Sequence, residues 1–362
     1  MYFNTKLFVS TLLAQSLLFT SCIKDEAADT DADILEAQIP SEYLKTEPII
    51  TNTSVEFKVK STIDLTKQSP IFIISPNATI SPVNGTERDY SKTQYVTVTA
   101  EDMRWSKVYS VNFTVDDLNH YYNFNQAELT DRDRYYRFYE VGANGNKIYE
   151  WDSGNQGYAT IAGSTPPENY PTSVTQGRKG GKAVKMVTVY TDKMGESMGN
   201  PIAAGNLFIG TFKLNIFNPL KSTRFGLPFD GGLPKKLRGV YTYKAGDVVT
   251  DKNYKPIPGK KDDFIIYAIL FESRAKDNYL DGTHKFMDSR NVAIAKIQPE
   301  QRKETTKWTT FETPFELVKG KTFDPTKEYM LTIVMSSSIN GDEFEGAVGS
   351  TLVVDEIELL LD

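Results

Sequence analysis

The 362-residue sequence predicts an all-β protein: a small β-sandwich followed by a larger two-sheet sandwich. Three observations carry this. Apolar and polar residues alternate over short runs, the period of a half-buried strand. Glycine, proline, asparagine and aspartate break these runs at intervals that suit turns. No stretch sustains a helical period, and no repeat of the kind a propeller or solenoid needs is present.

Ahead of the strands, Lys6 precedes an apolar run from Leu7 to Phe19, and Thr20-Ser21-Cys22 follows. A short positive head, an apolar run too short to span a bilayer and small residues before a cut make a secretory signal over residues 1–21. The run ends on the chain's one cysteine and so resembles a bacterial lipoprotein signal, which implies cleavage before Cys22 and lipid attachment to it. The alternative is a plain secreted protein. Residues 22–33 carry Asp25, Glu26, Asp29, Asp31 and Asp33 against one lysine, the composition of a solvated tether. Such acidic residues also resemble the surface-export signal of outer-membrane lipoproteins, which implies the cell surface.

Residues 34–117 read as short strands. Val55, Phe57 and Val59 alternate with polar neighbours, Tyr95–Thr99 and Val108–Val115 repeat the pattern, and Asn84-Gly85 is a hairpin signal. The ending "VTAED…YSVNFTV" resembles bacterial immunoglobulin-like modules, which implies an immunoglobulin-like sandwich. Residues 118–362 form the second domain. Its clear strands are Ala183–Tyr190, Leu207–Phe217, Gly239–Lys244, Phe264–Glu272, Val292–Ile297, Tyr329–Ser336 and Leu352–Leu361. "LTDRDRYYRFYEV" suits one helical turn or a strand.

A net charge of −6 argues against nucleic acid as a partner, because phosphate binding needs clustered positive charge. Two histidines and one cysteine argue against a structural zinc site, and one cysteine allows no disulfide within the chain. Gly195-Glu196-Ser197-Met198-Gly199 is formally G-x-S-x-G. A nucleophile elbow needs a helix after the serine, but Pro201 and Gly205 follow. "GRKGGKAV" lacks P-loop spacing and reads as a turn.

Carboxylate pairs suggest glycosidase chemistry, in which one group gives a proton and the other attacks or activates water. The candidates are Asp152, Glu272, Asp342, Glu345 and Asp355. In "LVVDEIELLL", strict alternation puts Asp355 on the apolar face of Val353, Ile357 and Leu359, so it must be hydrogen-bonded, paired or bound to a calcium ion. Glu272 ends an apolar strand on the face of Ile266, Ala268 and Leu270. No other cofactor is expected.

Sugar binding asks for flat apolar faces beside donors and acceptors. In "YEWDSGNQGYATIAG", Trp151 offers such a face, with Asp152, Asn155, Gln156 and Tyr158 beside it. The alternative is a core tryptophan followed by turn formers. Arg224 and Phe229 on a Pro/Gly-rich loop, with Tyr241 and Tyr243 on one strand face, form a second candidate platform; Phe225 and Phe229 would otherwise be core plugs. "MSSSINGDEFEGAVGSTL" adds Ser337 and Asp342, either as sugar ligands or as a self-satisfied hairpin.

Taken in order, "EWDSGNQGY", "YPTSVTQGRKGGKAVKMVT", "AAGNLFIGTF", "TRFGLPFDGGLPKKLRGVYTYKAGD" and "SSSINGDEFEGAVGSTLVVDEIEL" resemble PCMD, a carbohydrate-metabolism domain found in lipoproteins of glycan-degrading gut bacteria. The resemblance covers about Leu118 to Asp362. It implies a jelly-roll sandwich and a carbohydrate partner, without an established reaction. The expectation is a lipid-anchored, cell-surface protein that binds an oligo- or polysaccharide beside other glycan-utilisation proteins and meets the membrane only through its lipid. A glycoside hydrolase is the alternative.

Overall fold

The computed structural model describes residues 30–45, 47–59, 63–115, 118–130, 134–142, 147–274 and 278–361. The signal, Cys22 and all but the end of the acidic tether lie outside the described residues. The chain divides into two compact units, the first reaching Thr114 and the second built mainly from Val115 onward. Both are all-β.

In the first unit, five strands follow the sheet order Ile49–Ile50, Ser54–Val59, Ser106–Val115, Gln94–Thr99, Thr79–Ser81, and a separate antiparallel pair joins Ile34–Gln38 to Ile71–Ile74. Alternation places Val55, Phe57 and Val59 inside with Val96, Val98, Val111 and Phe113. The hairpin expected at Asn84-Gly85 does not form, since Thr79–Ser81 pairs with Thr97–Thr99. Instead the Asn84 amide accepts from Phe72 N (2.9 Å) and donates to Phe72 O (2.8 Å), which ties the loop to a neighbouring strand.

The second unit is a two-sheet sandwich. In chain order its main strands are β1 Trp151–Asp152, β2 Thr172–Gln176, β3 Lys182–Val187, β4 Asn206–Phe212, β5 Thr223–Phe225, β6 Lys236–Lys244, β7 Ile265–Glu272, β8 Asn291–Lys296, β9 Thr305–Pro314, β10 Tyr329–Ser336 and β11 Thr351–Leu360, with shorter strands between them. The larger sheet runs β1-β4-β10-β7-β8, with β5 beside β4; the smaller runs β2-β3-β11-β6-β9. Between them lies a core of Leu207, Ile266, Leu270, Leu331 and Ile333 from one side and Met186, Leu237, Tyr241, Val354 and Leu359 from the other.

Some details differ from the sequence reading, and the choice left open at "LTDRDRYYRFYEV" falls to strand. Strand β4 stops at Phe212 rather than Phe217, because Asn215 Oδ1 accepts from Phe217 N and Asn218 N and turns the chain. "LTDRDRYYRFYEV" gives Ala127–Leu129 and Tyr136–Phe138, an antiparallel pair. Strand β9 was not expected: it is a largely exposed edge strand whose threonines and charges hide its period.

The outer face of the larger sheet is also apolar. Phe208, Phe225, Ile265, Tyr267, Ile269, Phe271 and Val334 form a second cluster there, covered by loops. Where these loops part, a cleft opens.

Candidate functional site

The cleft has two adjoining chambers. The first encloses about 510 Å³ over Phe208, Phe225, Ile265 and Tyr267, and Asn155, Tyr158, Asn206 and Ser338 border it. The second, about 610 Å³, is bordered by Phe217, Asp251, Asp342, Glu343 and Glu345. Pro219, Leu220, Asp342 and Phe344 line both, so the chambers share one rim. Each volume lies in the range of about 300–1,000 Å³ typical of small-ligand sites.

Two loops build that rim. Residues 213–222 carry Phe217, which is 94% exposed, with Ile216 64% exposed beside it. Residues 336–350 hang on Asp262, a buried carboxylate that the sequence reading missed. Its Oδ2 accepts from Ser338 Oγ (2.6 Å), Ser350 Oγ (2.6 Å) and Ala347 N (2.7 Å). Thr188 Oγ1 bonds in turn to Ser337 Oγ (2.8 Å) and Ser338 Oγ (2.6 Å). A Cβ at Gly341 would come within 2.3 Å of Ala204 Cβ, so only glycine lets the loop lie this close before Asp342. Phe344 is held at φ +57°, a conformation costly for a bulky side chain.

The predicted residues divide sharply. Trp151 is 1% exposed and packs edge-on against Tyr122 (4.9 Å) and Phe124 (5.4 Å), so it is a core anchor and offers no face to a sugar. Asp152 staples backbone: it accepts from Phe212 N (2.7 Å) and Ser153 N (2.8 Å), while burial raises its pKa against these donors. Asn155 is fully buried and clamps Thr172 through both amide atoms, donating to Thr172 O (2.7 Å) and accepting from Thr172 N (3.1 Å). Tyr158 is half-buried at the first chamber.

Phe229, Tyr241 and Tyr243 belong to the core between the sheets, so the expected platform does not form. Tyr241 Oη donates to Gln301 O and accepts from Lys303 N (2.9 Å). Arg224 stacks on the Tyr279 ring at 5.1 Å. Ser337 is fully buried.

Among the five carboxylates, Asp342 and Glu345 border one chamber. Glu345 pairs with Lys260 and also accepts from Asn340; these partners hold its pKa below the ordinary value, so it stays ionised. Glu272 instead pairs with Lys327 at 2.8 Å, and this partner lowers its pKa. Asp355 lies outside the chambers' lining, on the smaller sheet. A bulge there, with Glu356 at φ +52° and Arg238↔Glu358 followed by Val240↔Asp355, moves Ile357 to the opposite face from Asp355. The strict alternation expected across this strand therefore fails. Asp355 is nevertheless 4% exposed and accepts from Arg178 N (2.9 Å) and Glu356 N (2.8 Å), with burial raising its pKa. No group of three or more His, Cys, Asp or Glu side chains suited to a metal occurs among the described residues.

Serine-hydrolase geometry is not assembled. Ser197 ends a short helix and donates to Met194 O (2.7 Å). His120 packs against Phe229, and His284 lies beside Thr283 and Asp281.

Family comparison assigns this sandwich. Residues 123–360 match the family described as "Putative carbohydrate metabolism domain", PCMD. The chain belongs to that family. The unit before the PCMD domain matches "SGBP, N-terminal" over residues 34–113. This PCMD protein is similar to a crystal structure of a "putative glycoside hydrolase" from Bacteroides thetaiotaomicron VPI-5482, with 42% identity, TM-score 0.69 and coverage of 93% of this chain and 98% of that one. A second "putative glycoside hydrolase", from Bacteroides vulgatus ATCC 8482, is 35% identical with TM-score 0.62, covering 68% of this chain and all of the other. No curated protein matches the PCMD chain.

Proposed function

We propose that the PCMD domain binds an oligo- or polysaccharide across the two-chamber cleft. The observation that carries this is Phe217, an aromatic ring 94% exposed on a rim that also holds Asp342, Glu343 and Glu345. An exposed flat ring costs free energy in water and gives a sugar ring an apolar face to cover; adjacent carboxylates accept from its hydroxyls. Asn155, Tyr158, Asp342 and Glu345 are the sequence candidates that border the cleft. Membership of a carbohydrate-metabolism family supports the same reading. Calorimetry of the purified chain against plant, host and microbial glycans tests it: at least one is expected to bind, and binding to none counts against it.

We further propose a cell-surface role, with lipid on Cys22 and residues 22–33 as a tether. The match to the N-terminal domain of surface glycan-binding proteins supports the location, and the sequence around Cys22 supports the anchor. Cys22→Ala is expected to move the protein out of the membrane fraction; unchanged retention there contradicts the anchor.

Hydrolysis is the second reading, favoured by Asp342 and Glu345 bordering the same chamber and by the names of the relatives. Ionised Glu345 suits a nucleophile or general base and leaves the acid role to Asp342. New reducing ends that vanish in Glu345→Gln support hydrolysis, and intact glycan after long incubation counts against it.

A further inference from the structure

The geometry points to a division of labour between the chambers: the first receives an apolar ester substituent of a decorated glycan, and the second receives the sugar. This rests on the glycan-binding reading above and names the class of glycan. The first chamber has a floor of Phe208, Phe225, Ile265, Tyr267 and Val334. Its rim is apolar as well, with Leu214 40% and Ile216 64% exposed.

Several of the polar side chains around it are committed to the protein, and the Lys296 ammonium lies over the Phe286 ring at 4.6 Å. Asn155 clamps Thr172, and Asn206 accepts from Gly154 N (2.9 Å) and donates to Ala204 O (3.1 Å). Ser222 accepts from Asn215 N (2.9 Å), Ser336 donates to Ser338 O (3.0 Å), and Ser338 donates to Asp262. An unsubstituted sugar ring here would bury several hydroxyls with few partners, at about 1–3 kcal/mol for each one left unsatisfied. An acyl or aryl group has no hydroxyls to satisfy along its hydrocarbon part and gains from covering the apolar floor. The second chamber has the opposite character, with Asp251, Lys252, Asn253, Asp342, Glu343 and Glu345 beside Phe217; Asp251 and Glu345 are bonded to the protein through one oxygen, and a carboxylate accepts further donors through the other. A sugar held there lies across the shared rim of Leu220 and Phe344 from the apolar chamber, so its ester can reach in.

The test uses the full chain and a panel of acetylated xylan, mannan and pectin and hydroxycinnamoylated arabinoxylan, each with its saponified counterpart. For at least one backbone the ester-bearing form is expected to bind roughly tenfold or more tightly than the saponified form. The exposed double variant Leu214→Ser/Ile216→Ser, checked for folding by circular dichroism, is expected to shrink that preference. Equal affinity for both forms overturns the inference and leaves glycan binding standing. Absence of binding to every polymer overturns both. Methyl ferulate binding as tightly as the decorated polymer also overturns the inference, because the sugar then contributes nothing.

Discussion

Strand β7 has two apolar faces that meet different surroundings. Ile266, Ala268 and Leu270 point toward the smaller sheet and join the main core. Ile265, Tyr267, Ile269 and Phe271 point the other way and are covered by loops that bring Phe286 and Ile339, with Phe212 at the end of β4. A sheet can close a flat apolar surface along its whole length, since its side chains repeat with the same spacing. Loops cannot, because they must also satisfy their own backbone and turn the chain. The inner face is therefore filled, and the outer face keeps a cleft. Substitutions on the two sides should fail in different ways.

The largest effect is expected inside. Trp151→Ala removes a fully packed ring from between Tyr122 and Phe124 and should destabilise the second unit by about 3–5 kcal/mol in denaturant unfolding. A loss below about 1 kcal/mol would erase the contrast between the faces. Asp262→Ala comes next. It leaves two hydroxyls and two backbone N–H groups, of Ala347 and Asp263, without their acceptor, which should cost about 2–4 kcal/mol and loosen the 336–350 loop. Amide exchange at Ala347 should rise with it, and unchanged protection would show that the loop is held by other contacts. Asp355→Ala, on the smaller sheet, should cost about 1–3 kcal/mol through two unpaired backbone amides.

A pH-dependent effect comes from Glu140, whose pKa is raised from 4.5 to about 7 by burial first and by the nearby Glu150 charge second. Between these values the folded protein binds more protons than the unfolded chain, so stability falls as pH rises through this window. Glu140→Gln should match the parent protein near pH 4.5 and exceed its Tm near pH 8. Parallel Tm curves at all pH values would show that Glu140 titrates normally.

The all-β class was legible because alternation is strong wherever one face of a strand meets water, as in Val55–Val59. The site was less legible. Strand β7 is apolar at nearly every position, so its period cannot say which face meets a sheet and which meets a cleft. Trp151 and its polar neighbours look like a sugar platform because backbone staples and sugar ligands use the same residue types: Asp152 and Asn155 spend their oxygens on amides 60 and 17 residues away. Glu272 and Asp355 were separated by topology, which one sequence does not reveal. Phe217 did carry a signal. An Ile-Phe pair set between asparagines and followed by proline is apolar surface placed in a turn, and reading it as the end of a strand concealed it.

The smallest structural effect should accompany the largest functional one. Phe217→Ala removes a ring that is almost wholly in solvent, so the Tm should not change. Calorimetric titration of the parent protein and this variant with the tightest-binding glycan is the direct test of the cleft. The affinity is expected to be roughly tenfold or more weaker in the variant, with an unaltered Tm. Equal affinity in the two proteins would contradict this and put the sugar elsewhere.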